Sequence, residues 1–570
     1  MRGFPRSVVL VALVFPVLTF AVPAGADHGN ADDASPNMLH VANLPPPPQF
    51  LEGPPNETRV NSDLAFWGAG AARGRHHDLL AQGNYDGFRL VDIQDPKNPV
   101  QVSVMECRAN QGDVSFYKAN DRLLLIQSID RPQTSSDCAT ARDTGVSSGT
   151  NPVTGLPGTF FIPGFEGLRI FDVTNPASPQ HIASVPTACG SHTHTTIPDQ
   201  RDQMAVVYVS SYPLGGSVTP AESDFGGPRC TPPHAKISIV MIPDSDPANP
   251  IVKEQPLHED TLPYSGASGA GGSAAVGCHD ITAFYDQQAG PRAGQSSKQH
   301  YQVAGAACLE EGQLWDISDP ENPTTLGPHS HIRNPFITPR GLFHTASFSN
   351  DGEIVLFTDE FEGGGGSGCK GPQDTTGNVW FYKNVTPGIE PVPLYGRYIL
   401  PRPQPANEIC TMHNGNVITV SDEADGDFGV SSAYQAGTTV FDFSRAATFP
   451  EILPPISPPV PPTVATEVAY FDAKNDPPPP VGIDDVWSSY WYNDFIYASS
   501  GRVQAGRPGN RGLDVYMLLG RHGRLADESG QPTVGAGEED APGVQQFTGR
   551  DVRYMNPQTQ DTFQSTSHGR

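Results

Sequence analysis

A strand-and-turn pattern that recurs seven times constrains the fold of this chain more than any other feature. Each copy starts with a glycine or a small polar residue and continues with alternating apolar residues. The clearest copies, which end in a proline-bearing turn, are G-F-R-L-V-D-I-Q-D-P-K-N-P (87–99), G-L-R-I-F-D-V-T-N-P-A-S-P (167–179) and G-Q-L-W-D-I-S-D-P-E-N-P (312–323). Looser copies are at 235–243, 377–383, 437–444 and 511–518. The period of two predicts a strand, and the Asp or Asn before proline is suited to cap the turn that ends it.

Each copy has apolar companions, which predict that it is the third of four antiparallel strands. The second strands are expected at 122–128, 204–211, 353–360, 416–423 and 495–500. More polar first strands are expected at 62–67, 112–117, 193–197, 279–284, 344–348, 410–415 and 485–491, and edge strands such as 100–107 follow the copies. Seven four-stranded units of this kind predict an all-β fold, a seven-bladed β-propeller, because one unit alone cannot bury both of its faces.

The N-terminus predicts export. Arg2 and Arg6 flank the start of an apolar run from Ser7 to Val22, which is followed by Ala24-Gly25-Ala26. This order is typical of a secretory signal peptide cut after Ala26, and the run is short for a membrane anchor. The expected domains are a signal peptide (1–26), a proline-rich N-terminal arm (27–60), the propeller (61–522) and a disordered C-terminal tail (523–570).

Charge narrows the range of partners. The net charge is −27, which argues against nucleic acid or an anionic membrane surface as a partner. The mature chain shows no further apolar stretch long enough to be a transmembrane segment. We expect a secreted or cell-surface protein whose partner is a protein, a glycan or a small molecule.

The motif G-F-R-L-V-D-I-Q-D-P-K-N-P and its copies resemble the LVIVD repeat of secreted and cell-surface proteins. The resemblance runs from about Asn61 to Leu519 and is weakest in the last three copies. It implies a propeller in an extracellular setting, and it implies no particular reaction.

The eight cysteines are predicted to lie on one face of the propeller, here called the top face. Four precede or begin a first strand, and four lie at or after the end of a second strand. In an exported protein such an even number indicates disulfides, and a thiolate metal site is less favoured because no C-x-x-C motif occurs. Sequential pairing is the simplest expectation: Cys107–Cys138, Cys189–Cys230, Cys278–Cys308 and Cys369–Cys410.

Histidines recur near the start of the first strand in four consecutive blades. The set comprises His192, His194, His279, His344 and His413. Blades one, two and seven carry Asp63, Asp113 and Asp485 near the same place. First strands converge on the propeller axis, so these imidazoles are candidate ligands for Fe, Cu or Zn. The alternative is a structural role at blade junctions, where buried polar groups need hydrogen-bond partners.

Acidic residues form a second candidate site on the top face. They are Asp359, Glu360, Glu362, Asp422, Glu423, Asp425 and Asp427. Carboxylate-rich loops favour hard cations, so a Ca²⁺ site is one interpretation. Their spacing matches no defined calcium loop, and the expectation is a solvated acidic rim.

Two functions therefore compete. The first is binding or surface interaction through the top face, with the ligand unknown. The second is a metal-dependent, oxidoreductase-like enzyme built on the axial histidines. Whether the chain is an enzyme is left open by the sequence, which contains no nucleophile elbow, phosphate loop or zinc-protease motif.

Overall fold

The structure is a computed structural model of the 570-residue chain. The described residues are 33–50, 59–68, 78–108, 111–130, 136–138, 145–150, 157–162, 165–199, 201–212, 234–257, 277–285, 302–309, 311–326, 331–332, 334, 341–349, 352–361, 368–369, 371, 374–383, 394–402, 404, 408–418, 427–449, 461–473, 486–500, 502–503 and 511–519.

Seven antiparallel sheets form a seven-bladed β-propeller, which confirms the predicted fold class. Blades are numbered along the chain, and the strands of each run from the axis outward. Blade 1 has Arg59–Trp67, Leu79–Asn84, Gly87–Asp92 and Val100–Glu106; blade 2 has Gln111–Ala119, Arg122–Ile129, Gly167–Asp172 and Gln180–Pro186; blade 3 has Thr193–Asp199, Met204–Ser210, Lys236–Pro243 and Ile251–Pro256; blade 4 has Asp280–Tyr285, Gln302–Cys308, Glu311–Asp316 and Thr324–Thr325. Blade 5 has Phe343–Phe348, Ile354–Asp359, Val379–Lys383 and Leu394–Tyr398; blade 6 has Gly415–Ile418, Phe428–Ser432, Thr438–Asp442 and Thr466–Asp472; blade 7 has Val486–Tyr492, Phe495–Ser500, Leu513–Leu518 and Met38–Leu44.

Short additional strands complete this set. Asp33–Ala34 pairs with the outer strand of blade 6, His331–Ile332 with the third strand of blade 4, and Arg502–Val503 with the inner strand of blade 1. Gly145–Thr150 and Pro157–Ile162 form a separate hairpin between the second and third strands of blade 2.

The turn after each clear repeat has the predicted chemistry. In blade 1 the Asp95 carbonyl accepts the amide N–H of Asn98 at 2.9 Å, and its carboxylate accepts the amide N–H of Lys97 at 3.1 Å. Asn175 and Asp319 repeat the arrangement in blades 2 and 4. The side chain before proline thus caps a turn that the proline cannot continue as a strand.

The second strand of blade 6 was predicted wrongly. The segment 416–423 was expected to supply it, but Gly415–Ile418 is the inner strand and Phe428–Ser432 is the second. Val417 and Ile418 are both buried in the inner strand, and apolar residues there would suit a buried second strand equally well. The apolar pattern alone therefore could not show which of the two strands this segment forms.

The N-terminal arm differs from the expectation as well. Met38–Leu44 pairs antiparallel with Leu513–Leu518 and is the outermost strand of blade 7. Asp514 accepts a hydrogen bond from His40 at 2.8 Å and is bonded by Arg511 at 2.6 and 3.0 Å. The propeller therefore includes residues that precede the predicted boundary at residue 61, since Met38–Leu44 supplies the outer strand of the last blade.

Apolar side chains fill the spaces between adjacent blades. Ile197 and Tyr208 of blade 3 pack with Ile281 and Ala304 of blade 4, and equivalent clusters join the other blades. Because both faces of a blade are covered by its neighbours, the inner and middle strands are almost wholly buried. This packing fixes the first residue of each inner strand around the axis.

Three of the predicted disulfides are confirmed: Cys107–Cys138, Cys278–Cys308 and Cys369–Cys410. The fourth involves Cys230, which lies outside the described residues. Cys278–Cys308 and Cys369–Cys410 each connect the chain just before an inner strand with a second strand. Cys308 ends its second strand, and Cys369 lies in the loop that follows its own. Among the described segments, no helix has the length and apolar character needed to cross a bilayer.

Candidate metal centre at the propeller axis

Four histidines occupy equivalent positions at the top of consecutive inner strands. His192, His279 and His413 each donate their backbone N–H to the carbonyl at the end of the second strand of their own blade, at 2.7–3.0 Å. His344 lies within the paired inner strand of blade 5. The fold thus places one imidazole per blade at the same height in blades 3 to 6.

These four imidazoles contact one another in sequence around the axis. Ring centroids are 4.2 Å apart for His192 and His279, 3.9 Å for His279 and His344, and 4.1 Å for His344 and His413. All four residues are at most 8% exposed. We call them the axial histidine cluster.

Hydrogen bonds to groups outside the cluster fix the tautomers of three of its members. His192 Nδ1 lies 3.1 Å from a carboxylate oxygen of Asp130, and His413 Nδ1 contacts the carbonyl of Trp487. Both partners only accept hydrogen bonds, so each Nδ1 carries the proton. The Nε2 atom of each ring can then accept a hydrogen bond or bind a metal, and that of His192 lies 3.3 Å from both the Gln111 amide nitrogen and the Tyr212 hydroxyl.

A hydroxyl chain does the same for His344. The Thr345 hydroxyl donates to the Asn414 side-chain oxygen at 3.0 Å, so it can only accept from His344 Nδ1, at 2.7 Å. The Asn414 amide in turn donates to Asp63 at 2.7 Å. Outer partners of this kind orient metal-ligating histidines in proteins and raise their basicity.

His279 lies at the centre of the cluster and is held differently. Its Nε2 is 2.8 Å from Nε2 of His192, and among the described residues its buried Nδ1 makes no hydrogen bond of good geometry. Two ligand nitrogens at a right angle on one ion, each 2.0–2.1 Å from it, would be about 2.9 Å apart. The spacing of imidazoles in this cluster is therefore of the size found around a transition-metal ion.

A carboxylate completes the site. Glu360 follows the second strand of blade 5, and its two oxygens lie 3.8 Å from His344 Nε2 and 3.7 Å from His413 Nε2. The Tyr434 hydroxyl donates a short hydrogen bond to the same carboxylate. Ligand atoms of His279, His344 and Glu360 all lie within 4.8 Å of one another, close enough to share one ion.

The expectation of a solvated acidic rim is wrong for the two acidic residues at this place. Asp359 is fully buried and Glu360 is 4% exposed. They end a second strand, and the top of that strand is enclosed by the inner strands and the loop that carries Tyr434. Glu362, Asp422, Glu423 and Asp425 lie outside the described residues.

Burial sets the protonation of these groups. It lowers the pKa of His413 to about 3 and lowers those of His279 and His344 well below the usual histidine range, with the neighbouring histidines adding to the effect. Burial also raises the pKa of Glu360 to about 7 and that of Asp359 to about 8. Near neutral pH these three histidines are therefore uncharged, the form in which imidazole binds metal.

His194 does not belong to the cluster, although it was predicted with it. Its Nδ1 lies 2.8 Å from the Ser128 hydroxyl and its Nε2 lies 2.6 Å from that of Ser115. Its backbone N–H is bonded to Asp113 at 2.8 Å. Both ring nitrogens of His194 are therefore hydrogen-bonded, one layer below the axial histidine cluster. The alternative role expected for these histidines, a structural one, applies to His194.

The carboxylates expected near this place in other blades form part of that lower layer. Asp63 accepts hydrogen bonds from Asn414 and from Tyr490, the latter at 2.6 Å. Burial, and next the charge of Asp113, raise the pKa of Asp63 well above its ordinary value. Asp485 lies outside the described residues.

Several site residues had no clear signal in the sequence. Asp130 and Tyr212 follow second strands, as Glu360 does, and a rule that inspects the residues after each second strand would have found them. Tyr212 stacks on His279, and Trp487 stands edge-on to His413. Tyr434 reaches the site from a 3₁₀ turn, Tyr434–Ala436, that no repeat pattern marks.

The fold and the site together define a β-propeller with an imidazole- and carboxylate-lined centre on its axis. No protein-family model matches the sequence, and no curated protein is similar to it. The resemblance to the LVIVD repeat therefore stays a prediction.

Solved structures of similar shape have low identity to this chain. One is a functionally unknown protein from Desulfotomaculum acetoxidans DSM 771, 10% identical, covering 71% of this chain and 88% of that one, with a TM-score of 0.36. A protein from Lactobacillus plantarum is 10% identical, with 78% and 89% covered and a TM-score of 0.39. BBS1N, solved in complex with ARL6DN, is 8% identical, with 85% and 97% covered and a TM-score of 0.39. The propeller assignment rests on the strand pairing of this chain itself.

Proposed function

We propose that this protein is an exported metal-dependent β-propeller that holds one transition-metal ion in the axial histidine cluster and acts on a small molecule entering from the top face. The reaction class is oxidoreductase-like, since imidazole sites suit redox-active first-row ions such as iron and copper. One observation carries the proposal: His344 and His413 donate Nδ1–H to outer partners, which leaves their Nε2 lone pairs beside the buried Glu360 carboxylate, at 3.8 and 3.7 Å.

The energetics favour a bound ion over a purely structural role. A buried polar atom without a partner costs about 1–3 kcal/mol. Among the described residues, the buried Nδ1 of His279 makes no hydrogen bond of good geometry, and its Nε2 lies 2.8 Å from that of His192. His194 shows the contrast with His279, because both nitrogens of His194 are hydrogen-bonded.

Export is supported by two features. The N-terminal sequence predicts a signal peptide cut after Ala26. Three disulfides on the same face as the cluster suit an oxidising compartment. The LVIVD-like repeats are consistent with that setting.

Elemental analysis of the untagged mature protein, starting at Asp27, tests the proposal. We expect close to one equivalent of iron, copper or zinc per chain, and loss of that metal in the His279→Ala/His344→Ala variant with its secondary structure retained. His181→Ala is the matched control, because His181 lies on the outer strand of blade 2, where its ring nitrogen bonds to Ala183 and Ser184 of the same strand. A wild-type protein that stays folded, contains no metal and takes none up on reconstitution would overturn the proposal and leave a binding protein without a metal.

A further inference from the structure

We propose that His279, His344 and Glu360 are the direct ligands and that the ion is iron(II), bound as a two-histidine, one-carboxylate site with positions open to dioxygen and substrate. The inference rests on the proposed function and specifies its metal and its co-substrate. Among the described residues, these three form the one group of histidine, cysteine and acidic side chains whose ligand atoms lie close enough to hold an ion together.

The composition of this group argues for iron. Two imidazoles with one carboxylate and open positions are the usual ligand set of non-haem iron(II) oxygenases. A copper(I) site would favour sulfur ligands, and the cysteines of the described segments are all in disulfides. All three side chains are buried, and the attraction between a carboxylate and a cation is stronger in a low-dielectric interior than in water.

Glu360 is positioned for this role by a second residue. The Tyr434 hydroxyl donates to one carboxylate oxygen, and the Tyr434 ring packs against His413 at 4.6 Å between centroids. Tyr434 has φ = 45°, a left-handed conformation that is unfavourable for a bulky side chain. Such conformations cost about 1–3 kcal/mol and are concentrated at functional sites. We therefore treat Tyr434 as a positioning residue that acts through Glu360.

The other two histidines flank the triad. His413 Nε2 lies 3.7 Å from Glu360, and His192 Nε2 lies 2.8 Å from that of His279. Among cluster members, His192 is the most exposed, at 8%, and it faces Tyr212 and Gln111. The approach for a small ligand is therefore on the His192 side of the cluster.

The experiment uses the mature protein, stripped of metal and reconstituted with iron(II) without oxygen. Nitric oxide serves as the probe for an open position, since it binds iron(II) where dioxygen would. We expect one equivalent of iron and the electron paramagnetic resonance signal of a high-spin iron–nitrosyl adduct. Glu360→Gln should lower iron(II) affinity about 100-fold or more, because changes to residues that merely contact a metal ligand already cost 10–100-fold. Copper affinity should fall much less.

Two further variants separate ligation from folding. Glu311→Gln is the matched control, because Glu311 is a similarly buried carboxylate on the third strand of blade 4, bonded to Gln313 at 2.7 Å and 3.0 Å from His331 Nδ1. Tyr434→Phe should weaken iron(II) about 10-fold and shift the nitrosyl signal while the thermal unfolding of the metal-free protein changes little.

The failures are distinguishable. A wild type that binds no metal at all overturns the proposed function. A wild type that binds copper or zinc but forms no iron–nitrosyl adduct, or a Glu360→Gln variant with unchanged iron affinity, overturns the iron assignment alone.

Discussion

The two halves of the propeller axis differ in chemistry although both are built from antiparallel four-stranded blades. Blades 3 to 6 present imidazoles at the top of their inner strands, whereas Asp63 and Asp113 of blades 1 and 2 lie in a bonded lower layer. Blade 7 contributes Trp487, whose carbonyl holds His413. Since a propeller closes with either kind of residue, the fold does not require histidine there. The imidazole half is therefore where we propose the metal site.

The strongest way to sharpen this comparison is acid titration of the metal-stripped protein. His279, His344 and His413 have lowered pKa values in the folded state and ordinary values near 6.5 in the unfolded state. Between those values the unfolded chain binds more protons at these histidines, so their contribution to stability falls as the pH is lowered from about 6.5 toward 4, by up to about 1.4 kcal/mol per pH unit for each histidine. Asp359 and Glu360, whose pKa values are raised to about 8 and 7, act in the opposite sense over the same range. Urea unfolding at a series of pH values, compared between the wild type and the His279→Ala/His344→Ala variant, isolates the histidine contribution. An identical pH dependence in the two proteins would contradict the buried, neutral cluster.

The next comparison replaces one residue from each half. His344→Asn should lower metal affinity about 100-fold or more, while Asp63→Asn should change it less than about 3-fold, because Asp63 reaches the cluster only through Asn414 and Thr345. Competition with a coloured chelator measures both. Equal losses in the two variants would mean that the lower layer takes part in binding.

His192 and His194 offer a test within one strand. His194→Ala should cost about 2–3 kcal/mol of unfolding free energy, because Ser115 and Ser128 lose a buried partner, and it should keep the metal. His192→Ala should weaken metal binding with a smaller loss of stability. Chemical denaturation and elemental analysis of both variants decide the matter, and a reversed pattern would exchange the roles assigned to these two histidines.

The smallest expected effect concerns the carboxylate half alone. The raised pKa of Asp63 means that the folded state binds its proton more tightly than the unfolded state. Stability from this group is thus present at low pH and lost as the pH rises above about 4. Asp63→Asn should remove that loss and raise the free energy of unfolding near pH 8 by about 1 kcal/mol. A destabilised variant at pH 8 would show that the charged carboxylate is needed.

Sequence reasoning predicted the fold because propeller blades are local. Each repeat contains its own alternation and its own turn, as in Gly87–Asp92 with the cap at Asp95. It failed for residues 416–423, because the apolar pattern did not show whether they form the first or the second strand of blade 6. It also failed for Met38–Leu44, because the partner of this strand is far away in the sequence, at Leu513–Leu518.

The site was predicted in part for the same reason. Equivalent positions in successive repeats revealed His192, His279, His344 and His413. The two nitrogens of His194 bond to hydroxyl groups on neighbouring strands, and the spacing of residues in the sequence does not predict such side-chain contacts. Glu360 was visible as an acidic residue, but its burial depends on Tyr434 from the next blade.

The outer strand of blade 7 has a consequence for the order of biogenesis. Met38–Leu44 is among the first segments to emerge during synthesis, yet its partner Leu513–Leu518 is among the last of the propeller. The ring of blades cannot close until nearly the whole propeller has been synthesised, so under the proposed export blade 7 would be completed late, after its first and last strands have both been delivered. Arg511 and Asp514, which both contact His40, would form these contacts at that final step.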